Sequence, residues 1–303
     1  MSLTSLILMA LTFIVNFIIH FLFWTIMCNL ASLFLEPSSF IPSGQEWDSF
    51  GKLCCISILA PAVIFSLGPM QRFLVWSEGG RSVSGEWRTR MKRALEEICE
   101  QAHLNPGNYN LYVGDTQELN AFALGNRHIA VTAGALQYLN DRELTGIMAH
   151  EMGHLQKGHT KAGLFIVGMN WFGRAIARVY MIMNVLCRLV SWVPVLGWMV
   201  SIIMFFINLQ YTVCIFLLQI PACFLMLSGQ REEEYEADRY ACCIGLGKEL
   251  EQGLMVLDDY YGSHRMGFLE RLQSDHPDTK NRLKRIRKYN EKLEVVLPAH
   301  YTQ

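Results

Sequence analysis

Two stretches of this chain carry no Asp, Glu, Lys or Arg: Leu3 to Leu35 and Val190 to Gln230. A helix crossing the hydrocarbon of a bilayer needs about 20 mostly apolar residues. Both stretches exceed that, so the pattern predicts an α-helical integral membrane protein. The first span is expected at about 3–35. A second is expected at 53–76, with its apolar part from Cys54 to Met70. The first stretch does not read as a cleaved signal, because "MSLTS" has no basic residue and the apolar run is longer than the roughly 7–15 residues of a signal core. Two further segments are expected within 162–228, because an even number of spans returns the chain to the side it left. They are Gly163–Cys187 and Ser201–Leu227, joined by the turn "SWVPVLGW" at 191–198. Arg174 and Arg178 inside the first of them are costly in lipid. The alternative lays 163–188 on the membrane surface and folds 189–228 into a hairpin.

Outside these stretches the period changes. Trp87, Met91, Leu95 and Ile98 recur at helical spacing within 85–104, and "NPGN" at 105–108 ends that helix. Two β-like pieces follow, "YNLYVG" (109–114) and "HIAVTAGAL" (128–136), the second after the turn residues "LGNR". Asn140 with Glu143 three residues on forms a capping box. It opens a helix expected to run to about Lys157, where Gly158 ends it. Another helix is expected near Lys248–Tyr261, and a last one follows Pro277 in "SDHPDTKNRLKRIRKYNEK".

Charge then orients the chain. Between the first two spans stand Glu36, Glu46 and Asp48 against Lys52. After the second stand Arg72, Arg81, Arg88, Arg90, Lys92 and Arg93 against Glu78 and Glu86. Basic flanks stay in the cytoplasm, so residues 77–160 are expected there. The net charge of -1 gives no reason to expect a nucleic-acid partner. The nine cysteines contain no C-x-x-C pair, which argues for small apolar side chains in a reducing compartment rather than a disulfide framework or cysteine zinc site.

The chemistry concentrates in "AHEMGHLQKGHT" (149–160). His150, Glu151 and His154 form H-E-x-x-H, whose histidines at i and i+4 share one helix face and can bind one cation. Glu151 is then placed to take a proton from a metal-activated water, the chemistry of peptide-bond hydrolysis. Lys157 and Thr160 stand where a metzincin needs Gly and His, which excludes that class. His159 falls one position too early for such a ligand and is read as buttressing a ligand or closing the helix. A third ligand is then sought among the acids of "REEEYEADRYA" (231–241). Glu234 and Asp238 lie four apart on one face, with Ala237 and Ala241 permitting close helix packing. On spacing alone a solvated acidic face accounts for those residues better than ligation does.

These motifs together resemble the HtpX and CAAX prenyl protease (type 1) family of integral-membrane zinc metallopeptidases. The resemblance rests on His150–His154, then E-x-x-A-D from Glu234 to Asp238 with Arg231 before it, "NAFALGNRHIAVTAGAL" (120–136), and "DHPDTKNRL" (275–283). The overall plan is most similar to HtpX. It implies a mainly α (α+β) zincin-like (gluzincin) catalytic domain, with a small edge-exposed β-sheet beside the active-site helix, and one Zn²⁺ on His150, His154 and Glu234. Asp238 would support a ligand histidine, Arg282 would brace Asp238 or the helix bearing His276, and His276 would stabilise the oxyanion beside the base Glu151. The strand Ile129, Ala130, Val131, Thr132 would be the exposed edge to which a substrate adds, with Asn120 touching substrate backbone.

The expected organisation is therefore two N-terminal spans (1–76), the first half of a cytoplasmic catalytic domain (77–161), two membrane segments (162–228) and the second half (229–303). The resemblance implies a protease in the bacterial inner membrane that acts on misfolded or damaged membrane proteins. Two alternatives remain at this level: a prenyl-protein processing protease, and a non-catalytic membrane scaffold or holdase with a relict motif.

Overall fold

A computed structural model describes residues 3–32, 44–190, 192–193, 195–214, 220–263 and 279–296. The chain forms two compact units, each assembled from separated parts of the sequence. One comprises Met1–Ser5, Leu67–Ala162 and Gly229–Gln303, and the other Leu6–Ser66 and Gly163–Ser228.

The helices of the second unit follow the apolar stretches. They include α1 (Leu3–Ser32) and α2 (Gly44–Ser66). The segment expected as one span at 53–76 is broken, because α2 ends at Ser66 and α3 (Gly68–Ser77) starts afresh after the extended residue Leu67. Pro69 stands at the start of α3, where it lacks the N–H that a continuous helix would need. Among the residues described to their side chains, no single helix is long and apolar enough to cross a membrane; Gly51–Ser66 and Gly68–Ser77 meet that measure together.

Polar side chains tie the second unit internally. Asn16 donates from Nδ2 to Oδ1 of Asn170 at 2.8 Å, and Nδ1 of His20 lies 3.2 Å from the Ser57 hydroxyl. Around them pack Leu8, Ile58, Ala62, Ile166 and Met169.

The first unit carries a four-stranded mixed sheet. Its strands are β1 (Gly80–Ser82), β2 (Asn110–Gly114), β3 (Ala121–Leu124) and β4 (His128–Thr132), in the order β1-β2-β4-β3. β2 and β4 run parallel, whereas β1 and β3 pair antiparallel on either side of them. The helix α4 (Gly85–Gln101) buries Met91, Leu95 and Ile98 as its period predicts. "AGAL" does not continue β4. It opens α5 (Ala133–Tyr138), whose first turn is capped by the Thr132 hydroxyl accepting from the Ala135 N–H.

The strand expected at the edge lies inside the sheet. Ile129, Ala130, Val131 and Thr132 are not an exposed edge, because β4 is hydrogen-bonded to β2 on one side and β3 on the other, and all five of its residues are buried. A strand hemmed in by a parallel neighbour and covered on its faces reads as a continuous apolar run. Sequence could have shown that burial but not the missing edge. Beyond β3 no further strand pairs among the described residues, so Ala121–Leu124 is the edge that faces α6 (Asp141–Lys157).

Helix α6 lies at the centre of this unit, packed against α4, β3 and α11 (Gly247–Ser263). Its start is the capping box: the Asn140 side chain accepts from the Glu143 N–H at 3.0 Å, and Glu143 accepts from the Asn140 N–H at 2.8 Å. Such a cap contributes about 1 kcal/mol. Its end is Gly158, whose φ of 77° is the left-handed conformation that terminates helices. After it come α7 (His159–Met169), α8 (Trp171–Val190), α9 (Leu196–Cys214), α10 (Ile220–Cys243) and, past α11, α12 (Thr279–Val296).

Candidate active site

The H-E-x-x-H residues occupy the buried part of α6, and Glu234 and Asp238 come from the polar half of α10. What lets the two helices approach is the absence of side chain at the crossing. Gly153 faces Ala237 so closely that a Cβ there would lie 2.9 Å from the Ala237 Cα. Ala237 and Ala241 are both fully buried, so the small residues do permit the packing expected of them.

The approach brings three ligand atoms together. Nε2 of His150 and Nε2 of His154 are 3.2 Å apart. The Glu234 carboxylate lies 3.4 Å from the first through Oε2 and 3.3 Å from the second through Oε1. Zinc takes N and O ligands at about 2.0–2.2 Å in a tetrahedron, which sets neighbouring ligand atoms roughly 3.3–3.5 Å apart. His150, His154 and Glu234 therefore fit a zinc ion in both donor type and spacing, and they form the described residues' group able to hold a metal.

The surrounding residues orient this set. Nδ1 of His150 is 2.9 Å from Oδ1 of Asp238, so Nδ1 donates to that carboxylate and Nε2 is the nitrogen left for a metal. Arg282, from α12, grips Asp238 with two parallel hydrogen bonds, Nε to Oδ2 at 2.9 Å and Nη2 to Oδ1 at 2.7 Å. Its Nη1 reaches Oε2 of Glu234 at 2.9 Å. Glu151, one residue after His150, is buried in the same place and contributes to the electrostatic hold on Arg282.

Electrostatics agree with a cation. Three buried carboxylates, those of Glu151, Glu234 and Asp238, face one guanidinium, a formal charge of -2 that a divalent ion neutralises. Burial and the Arg282 charge both oppose protonation of His150. Glu234 and Asp238 outweigh them, so its pKa rises to about 9 when only protons are available to answer the charge. Burial alone would raise Asp238, but Arg282 and His150 hold it below the usual carboxylate range. Arg282, itself buried, is held above its ordinary range by the same carboxylates.

The structure thus gathers His150, Glu151, His154, Glu234, Asp238 and Arg282. His276 lies outside the described residues. Asn120 sits beside β3, its N–H bonded to the Thr132 hydroxyl at 3.0 Å. Thr132 cannot serve a substrate, because that hydroxyl also donates to the backbone of the 118–120 segment and its own N–H donates to the Asn120 carbonyl. His159, expected to buttress a ligand or close the helix, places its Nδ1 3.1 Å from His154 Nδ1, and Glu236, unassigned in the sequence, places Oε2 3.0 Å from His159 Nε2. Glu236 is one of four acids in a row of five residues, and nothing in that row singles it out.

Known proteins similar to this chain are proteases or metalloproteases by name. The family described as Peptidase family M48 matches residues 87–290. A protease HtpX homolog of Tropheryma whipplei (strain Twist) is 28% identical over 237 residues, 71% of this chain and 78% of that one. The metalloprotease YcaL of Escherichia coli (strain K12) is 31% identical over 81 residues, 27% of this chain and 31% of that one. The crystal structure of S. mikatae Ste24p aligns with a TM-score of 0.47 at 19% identity, covering 87% of this chain and 63% of that chain. The family match spans well over half of the chain and contains every residue of the buried cluster, so the chain belongs to peptidase family M48 and is a metalloprotease.

Proposed function

We propose that this chain is a membrane-bound zinc endopeptidase of HtpX type, acting on misfolded or damaged membrane proteins from the cytoplasmic side of a bacterial inner membrane. The observation that carries the reading is the spacing of the three ligand atoms, 3.2 to 3.4 Å, in a buried pocket of excess negative charge. The membrane part rests on the charge-free stretches 3–35 and 190–230, and on the basic residues that follow the second apolar stretch.

His150, His154 and Glu234 would hold one Zn²⁺ per chain, which when bound would supply Lewis acidity toward a water and the scissile carbonyl. The remaining work belongs to the chain's own residues. Glu151 takes the proton of the attacking water and delivers it to the leaving amine. Asp238, anchored by Arg282, keeps the His150 Nδ1 protonated and its ring aimed. An extended substrate adds to the free side of β3, Ala121–Leu124, where main-chain pairing gives affinity with little demand on sequence. Asn120, at the start of that strand, meets the substrate backbone. His276 takes the role of oxyanion donor on the strength of the family resemblance.

The decisive comparison is purified wild type against Glu151→Gln, assayed for zinc content and for cleavage of casein or of itself. The expected result is unchanged zinc with turnover reduced about 10²- to 10⁴-fold. Retained turnover would remove Glu151 from the role of base. Glu234→Ala should lose zinc, and full stoichiometry in that variant would place the third ligand elsewhere.

A further inference from the structure

His154 has a second side. While its Nε2 faces Glu234 and His150, its Nδ1 lies 3.1 Å from Nδ1 of His159. His159 in turn places Nε2 3.0 Å from Oε2 of Glu236. The His159 side chain is 2% exposed and that of Glu236 is 34% exposed, so a chain of hydrogen bonds runs from the buried ligand to a carboxylate near solvent.

Proton counting leaves this chain one arrangement once His154 offers its Nε2 lone pair to a metal. A neutral imidazole carries its single proton on one nitrogen. His154 must then carry it on Nδ1 and donate to His159. His159 must accept at Nδ1, which puts its own proton on Nε2, pointing at Glu236. Every donor meets an acceptor, and the terminal carboxylate would stabilise the positive charge left on the rings as a metal draws electron density along the series. On the other ligand, Asp238 does the same for His150 directly.

The backbone explains how a residue five positions after His154 can reach it. On an unbroken helix His159 would point about 140° away from His154. Gly158 at φ 77° ends α6 and starts α7 in a new direction, and His159 is the first residue after that turn. Glu236 stands two residues past Glu234, roughly 200° around α10, and so meets His159 rather than the α6 histidines.

We propose that His159 and Glu236 are positioning residues for the metal centre: together they fix the tautomer and ring orientation of His154 and make its Nε2 a stronger ligand. This rests on the zinc reading given above. Outer hydrogen-bond partners of ligating histidines typically govern metal affinity by about 10- to 100-fold.

The test is the zinc dissociation constant of the full-length protein in detergent, measured by competition with a chromophoric chelator, beside the melting temperature of the metal-free form. His159→Leu should weaken zinc about 10- to 100-fold. His159→Asn puts an amide oxygen where Nδ1 stood, can still accept from His154, and should restore most of the loss. His159→Gln puts its amide at the Nε2 position, reaches Glu236 but not His154, and should bind as poorly as the leucine variant. Glu236→Gln should weaken zinc in the wild-type background and have no effect beside His159→Asn, where the link is cut.

Wild-type affinity in His159→Leu would overturn the proposal. So would an asparagine variant no better than glutamine, or an equal effect of Glu236→Gln in both backgrounds. If the leucine variant does not fold, the asparagine–glutamine comparison decides alone. A wild-type protein that takes up no zinc would overturn the zinc reading as well; indifferent His159 variants of a zinc-binding wild type would overturn this proposal only.

Discussion

Arg282 shows how much of the site hangs on a single side chain. It is buried, and it bonds both Asp238 and Glu234. Removing one partner of a buried ion pair leaves uncompensated charge and costs about 3–5 kcal/mol. Arg282→Met should therefore lower thermal stability by an amount of that order at pH 7, and a melting temperature equal to wild type would show the carboxylates are satisfied otherwise. The pH dependence follows in sign. Asp238 is held below the ordinary value of about 3.9, so its contribution is complete above that pH and lost as pH falls through the depressed folded value. The arginine-free variant should lose part of this acid sensitivity. At this scale His150, Glu151 and His154 could be read from the chain, because i and i+4 on one helix decide their geometry. Spacing alone favours a solvated face for Glu234 and Asp238; the family resemblance singles out Glu234 as the ligand, and the packing of α10 against α6 supplies the geometry for it.

The elements impose a tighter constraint than any single contact. The α6–α10 crossing has no room for a side chain at Gly153, where an added Cβ would meet the Ala237 backbone at 2.9 Å. Gly153→Ala should push the helices apart and cost about 1–3 kcal/mol. It should also weaken zinc by separating Glu234 from the histidines, and unchanged zinc affinity in this variant would mean the crossing is slack. The sheet teaches a complementary lesson. The apolar run of β4 marked a strand, but strand order depends on how β2 and β3 pair with it, and that pairing is long-range. The edge passed to "AFAL", a segment in which no strand was expected. A short strand beside a Gly125 turn carries too little periodicity to announce itself.

At the scale of the molecule, the catalytic unit is discontinuous. Residues 67–162 supply α6 and the sheet, and 229–303 supply Glu234, Asp238 and Arg282. A metal held by both parts joins segments that the chain leaves 80 residues apart between His154 and Glu234. Zinc should therefore stabilise the folded protein, by about 4 kcal/mol when free zinc is 1,000 times its dissociation constant. The melting temperature should rise on adding zinc to the metal-free protein and fall again with chelator. No shift would mean the ion does not bridge the two parts.

Features that depend on neighbours within a few turns of chain were legible in the amino-acid order. They include the capped α6 with its two histidines and base, the buried face of α4, and the long charge-free stretches, because hydrogen bonding, periodicity and hydropathy act locally. Long-range packing settled which strand keeps a free edge and that Gly158 swings His159 back to His154, and it gave a geometry to the acid that only a family resemblance had singled out. Each of these depends on packing between segments far apart in the chain, where one small residue at a crossing or one left-handed glycine redirects a side chain without altering the pattern around it.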